Sequence, residues 1–153
     1  MSVVIAQIDI AAPPERVWEI AMDPATTKRW VTIVREVGPW DEGPLVEGFR
    51  MDQRLHLRGV TFKVEWTLQE VDPPYFARWE GRGPARSRAI IEDRLRATDT
   101  GTHFDYRNEF HTPFGPMGAI AAKAVMGGIP EHEANASLTA LKRLIESSTT
   151  EPT

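Results

Sequence analysis

GFRMDQRLHLRGVTFKVEWTLQ, residues 48–69, alternates with period two on both sides of Gly59. In the first half Phe49, Met51, Gln53, Leu55 and Leu57 share one face, and Arg50, Asp52, Arg54, His56 and Arg58 share the other. In the second half Phe62, Val64, Trp66 and Leu68 oppose Lys63, Glu65, Thr67 and Gln69. Successive strand side chains point to opposite sides, so each half is a strand with one dry and one wet face. Gly59 at the junction predicts a tight hairpin, and the pair therefore belongs to an antiparallel sheet.

The same period extends in both directions. Ser2 to Ala11 reads as a first strand with Val4, Ala6, Ile8 and Ile10 in phase. Pro14 and Glu15 then open a short helix to Met22, since proline and an acid both suit a first helical turn. Asp23-Pro24 is expected to cap a second short helix ending near Trp30. Further strands are predicted over Val31–Val37, Tyr75–Gly81, Ala85–Ala97 and Thr102–Thr112, with turns rich in Gly and Pro between them. In the last two, Ser87, Ala89, Ile91, Asp93 and Leu95 share one face, as do Phe104, Tyr106, Asn108 and Phe110.

After residues 113–118, PFGPMG, the period becomes helical. Helix is predicted over 116–126 and again over 131–146, separated by Gly127-Gly128-Ile129-Pro130, whose role the sequence leaves open. Ala134, Leu138, Leu141 and Ile145 fall on one stripe, which should lie on the sheet's dry face. Residues 148–153 read as a disordered polar tail behind a single domain of residues 1–147.

Composition narrows the function. With a formal charge of −4 the chain has no electrostatic reason to bind nucleic acid or an anionic surface. There is no cysteine, which removes thiolate chemistry and cysteine zinc sites. The opening residues lack a basic stretch followed by a long apolar core, and no apolar run approaches the roughly 20 residues of a membrane span. A cytoplasmic protein without membrane insertion, as monomer or homodimer, is the expectation. His132-Glu133 begins like a zinc helix motif, but Ala136 stands where the second histidine belongs, so no metal and no cofactor are expected. His56 and His103 fall on predicted wet faces, and His111 near a strand end. The arginines of the wet faces are expected to pair across strands with acids such as Glu65, Glu92, Asp105 and Glu109.

The order of strand, two short helices, about six antiparallel strands and a terminal helix resembles the START-like superfamily, the helix-grip fold of the birch-pollen allergens. Within it the chain is similar to the bacterial polyketide cyclase/dehydrase and lipid-transport group. The resemblance is carried by Ile10-Ala-Ala-Pro-Pro-Glu-Arg-Val-Trp18, Asp23-Pro24 with Trp30, Gly48, Val71-Asp-Pro-Pro74, Gly101-Thr102, residues 113–118 and Leu138-x-x-Leu-Lys-x-Leu-Ile-Glu146. It implies an α+β helix-grip architecture: a curved sheet of six to seven strands wrapped around a long C-terminal helix. It also implies an elongated cavity between the two, though a shared fold fixes no activity.

The dry-face residues fit such a cavity. Phe49, Met51, Gln53, Leu55, Phe62, Val64, Trp66, Ser87, Ile91, Phe104, Tyr106 and Phe110 are the candidate ligand contacts. Without the resemblance, an aromatic stripe of this kind reads more simply as plain core. Two functions follow, a noncatalytic carrier or sensor of a hydrophobic or aromatic small molecule, and an aromatic polyketide cyclase/dehydrase. The second needs a base and a donor to a developing oxyanion, for which Asp93, Tyr106, Asn108 and His132 are the candidate catalytic residues. For Asp93 and Asn108 the competing expectation is a slipped register or a wet strand end. A third reading uses the apolar 119–126 segment for association.

Overall fold

A computed structural model describes residues 2–57, 59–111 and 129–149. The predicted helix over 116–126, the 119–126 association segment, Gly127-Gly128 and residues 150–153 lie outside the described residues.

Seven strands form one antiparallel sheet: β1 (Ser2–Ile10), β2 (Val34–Trp40), β3 (Arg50–Leu57), β4 (Val60–Asp72), β5 (Phe76–Arg82), β6 (Arg88–Thr98) and β7 (Gly101–His111). Their spatial order is β1-β7-β6-β5-β4-β3-β2, so every neighbour except β1 is a sequential hairpin or loop partner. Helices α1 (Pro14–Ala21) and α2 (Thr27–Trp30) follow β1, and α3 (Ile129–Thr149) closes the described chain. This is the helix-grip architecture.

The period-two reading places the inner face correctly. Met51, Leu55, Val64, Trp66, Leu68, Leu95 and Phe104 are buried, together with Val4, Ala6 and Ile10 of β1, whereas Ile5 between them is 64% exposed. On α3 the stripe Leu138, Leu141 and Ile145 is buried, with Ala134 partly so. Each such large aliphatic side chain contributes on the order of 2 kcal/mol by leaving water.

The terminal motif has a mechanical explanation. Glu146 accepts a hydrogen bond from the Ala11 amide at 2.9 Å, and Lys142 donates to the Asp9 carbonyl at 2.7 Å and to Glu146 at 2.6 Å. The last turns of α3 are thereby tied to the end of β1. Thr102 Oγ1 donates to the Ala12 carbonyl at 2.7 Å, tying β7 to the same corner. Beside it, a Cβ at Gly101 would sit 2.1 Å from the Ile10 carbonyl oxygen, and its φ of +152° also favours glycine.

Four boundaries differ notably from the sequence reading. Asp23 does not cap a helix over 24–30; its carboxylate accepts from the Ala25 amide at 2.9 Å, and helix begins only at Thr27. The Asx-type bond competes with helix and delays it. Strand β2 starts at Val34 rather than Val31, because Thr32 is held by α3 through its amide to Ser137 Oγ at 3.1 Å and its hydroxyl to Glu133. Strand β6 starts at Arg88 rather than Ala85, since Pro84–Arg86 forms a short 3-10 turn with positive φ at Ala85 and Arg86. Helix α3 runs to Thr149, past the predicted end at Glu146.

Candidate functional site

The register of the sheet arranges inner-face residues in rows. Ala6, Tyr106, Asp93 and Ala77 line up across β1, β7, β6 and β5, and Val4, Asn108, Ile91 and Trp79 form the adjacent row. Asp93 and Tyr106 are thus directly opposed, and Asn108 is one inner position further along β7. The polar pair is flanked by alanines on both sides, Ala6 on β1 and Ala77 on β5. Neither the slipped register nor the wet strand end applies, because Asp93 is 8% and Asn108 6% exposed.

Asn108 Nδ2 donates to Tyr106 Oη at 3.0 Å, so the phenol oxygen acts as acceptor and keeps its own proton for another partner. The other end of the amide, Asn108 Oδ1, is buried without a hydrogen-bond partner among the described residues. Buried polar atoms are nearly always satisfied, which makes this acceptor an exception. Burial pushes the Asp93 carboxyl up to about 7. Burial, and secondarily the nearby Asp93 charge, also pushes the Tyr106 phenol well above its ordinary range. The cluster can therefore hold or release one proton near neutrality on Asp93 and present a second on Tyr106.

A second polar contact lies toward the other end of the face. Trp66 Nε1 donates to Gln53 Oε1 at 3.0 Å, and Gln53 Nε2 has the Met51 sulfur at 3.9 Å. The Trp66 indole lies over Gly81 across the strand pair, where a Cβ would meet its ring at 2.6 Å. A third polar atom, Trp30 Nε1 on α2, is buried without a partner.

Of the predicted ligand contacts, Phe49, Met51, Gln53, Leu55, Val64, Trp66 and Phe104 are buried, while Phe62, Ser87, Ile91, Tyr106 and Phe110 keep part of their surface. His132 stands apart: its side chain is exposed at the start of α3. Trp79 and Trp30 were not among the predicted ligand contacts. Trp79 is buried edge-on to Phe49 with ring centroids 6.3 Å apart, and the alternation of Ala77, Trp79 and Gly81 was the available signal. Trp30 had none, because its burial depends on packing of α2.

The outer face is chemically different. Arg78 bridges Glu70 at 3.0 Å and Glu92 at 3.7 Å, Arg88 meets Glu80 at 2.7 Å, and Arg107 reaches Glu92 and Glu109. Arg88 beside Glu80 and Arg107 beside Glu109 hold these carboxyls below their usual range. A groove of about 550 Å³ runs among these residues, on the opposite face of the sheet from Asp93. Most of its charges are already paired with one another, which explains the groove as a cross-strand ladder. His103 pairs with Asp9 at 2.7 Å and Asp105 at 3.2 Å, also outside.

A family model described as "Polyketide cyclase / dehydrase and lipid transport" matches residues 1–146. Toxin Rv0910 of Mycobacterium tuberculosis is 23% identical over 133 residues, covering 86% of this chain and 92% of that protein. Protein Rv1546 of the same organism is 26% identical over 133 residues, covering 84% and 92%. Among solved structures, TTHA0849 from Thermus thermophilus superposes with a TM-score of 0.79 at 17% identity, covering 97% of this chain and 100% of that one. Ara h 8.0201 gives 0.64 at 14% identity, covering 95% and 98%. These likenesses carry the fold alone.

Proposed function

Because this chain belongs to the polyketide cyclase/dehydrase and lipid transport family, we propose that it binds a hydrophobic or aromatic small molecule between the inner sheet face and α3, as a noncatalytic carrier or sensor. The observation that carries the reading is the uneven burial of one continuous apolar face. Leu68, Leu95 and Phe104 are sealed, yet Phe62, Ile91, Tyr106 and Phe110 on the same face keep accessible surface. Helix α3 makes its close approaches to β1, α1 and α2 rather than to the central strands. A ligand would cover the remaining apolar surface, gaining about 25 cal/mol for each Å² removed from water. Thermal unfolding against a panel of lipids, flavonoids and aromatic polyketides tests it. A concentration-dependent rise in Tm for some members is expected, and a flat response to the whole panel contradicts it.

A catalytic reading is favoured by one feature, a carboxyl poised near neutrality opposite a phenol. Asp93 would take a proton beside a carbonyl of a folded poly-ketone chain, and Tyr106, with its proton free, would donate to the developing oxyanion. Cyclised product lost in both Asp93→Asn and Tyr106→Phe, with ligand affinity kept, would establish it. An unchanged product profile in those variants removes it.

A further inference from the structure

We propose that the interior site selects an uncharged ligand bearing a hydroxyl group and rejects carboxylates, with Asn108 Oδ1 accepting the ligand's hydroxyl proton. This rests on the interior-binding reading above and specifies its ligand.

Two independent observations converge. The first is the distribution of charge. No described lysine, arginine or histidine is buried, and Asp93 is the only buried carboxylic acid among the described residues. The basic groups of the sheet, including Arg78, Arg88 and Arg107, are engaged on its outer face. The groups directly opposite Asp93 are neutral on both neighbouring strands: Tyr106 on β7 and Ala77 on β5. Lys123 and Arg58 lie outside the described residues. An anionic head brought into this setting would lose its hydration with no cation among the described residues to replace it, and Asp93 when ionised would add like-charge repulsion.

The second observation is the direction of the vacant hydrogen-bonding capacity. Asn108 is more than nine-tenths buried, its Nδ2 is committed to Tyr106, and its Oδ1 accepts from none of the described residues. A hydroxyl satisfies that acceptor and can at the same time receive the Tyr106 proton, being both donor and acceptor. A methyl ether offers no proton and leaves Oδ1 unpaired, and a carboxylate offers only more acceptors.

Isothermal titration of the intact protein at about pH 8 with naphthol, methoxynaphthalene and naphthoate tests this, since at that pH naphthol keeps its proton and naphthoate is ionised. Naphthol should bind at least about tenfold more tightly than naphthoate, and about fivefold more tightly than methoxynaphthalene. Asn108→Leu should erase the preference for naphthol over its methyl ether, and Asp93→Asn should narrow the gap to naphthoate. The wild-type comparison decides the matter even if either variant folds poorly. Naphthoate binding as well as naphthol overturns the charge selectivity, and equal affinity for naphthol and its ether overturns the role of Asn108. In both cases binding itself stands. Failure of all three compounds to bind overturns the inference together with the reading beneath it.

Discussion

Glu92 and Asp93 are adjacent carboxylates on β6 that face opposite sides of one sheet. Glu92 on the outside meets Arg78, Arg94 and Arg107 within 3.7 Å. Asp93 on the inside has a phenol, an alanine and an apolar wall around it, and burial carries its carboxyl to about 7. The contrast teaches that the two faces are built for different ends. The outer face neutralises its own charges in a ladder and is complete as it stands. The inner face leaves a carboxyl and an amide oxygen uncompensated, an arrangement that costs stability and is retained where a site needs it.

The largest expected effect tests whether the inner face is the structural one. Phe104→Ala, at a fully buried inner position, should destabilise by about 3–5 kcal/mol in urea unfolding, whereas Ile5→Ala on the outer side of the neighbouring strand should stay near 0.5 kcal/mol. Comparable losses at the two sites would break the comparison.

Next comes the pH dependence of the inner carboxyl. The folded pKa of Asp93 is raised from 3.8 to about 7, so between these values the unfolded chain has released a proton that the folded chain still holds. The unfolded state binds fewer protons there, and stability falls as pH rises through that window. The loss is as much as about 4 kcal/mol in total and is complete above about pH 7. Asp93→Asn should flatten this part of the curve, gaining on the wild type at pH 8 and matching it near pH 4. The outer carboxyls Glu80 and Glu109, with lowered pKa values, contribute in the opposite sense and lose their stabilisation as acid protonates them. Parallel curves for wild type and Asp93→Asn would refute the assignment of Asp93 to a dry site.

Smaller effects sharpen the picture. Gly81→Ala should displace the Trp66 indole from its seat, costing about 1–3 kcal/mol and changing tryptophan fluorescence. Glu92→Gln, in contrast, should cost about 1 kcal/mol, with the difference shrinking in high salt because its partners Arg78, Arg94 and Arg107 are open to water. A salt-insensitive loss of several kcal/mol would mean that the outer ladder is not the solvated device described.

Much of this was legible in the residues because strand alternation is a local property. Gln53, Asp93 and Asn108 fall in phase with Met51, Ile91 and Phe104, so their inward facing follows from position alone. What period could not supply were outcomes of competition or of long-range contact. Asp23 has the composition of a helix cap but bonds to Ala25 in a turn, and nothing in its neighbours decides between the two. Glu146 meets Ala11 across most of the chain, and the seat of Trp66 over Gly81 depends on the exact pairing of β4 with β5. The catalytic candidates divide in the same way. Asp93, Tyr106 and Asn108 were in register on two strands, whereas His132 was offered for its residue type near a helix break, and it lies exposed.

Native mass spectrometry of the protein as purified, followed by incubation with the lipid, flavonoid and polyketide panel, tests the central claim most directly. The account predicts a noncovalent one-to-one adduct, carried over from the cells or formed on incubation, that is released as a neutral molecule on activation and is weakened by Trp66→Ala and by Phe62→Ser on the inner face. A chain that keeps its bare mass under both conditions, while folded, would contradict it.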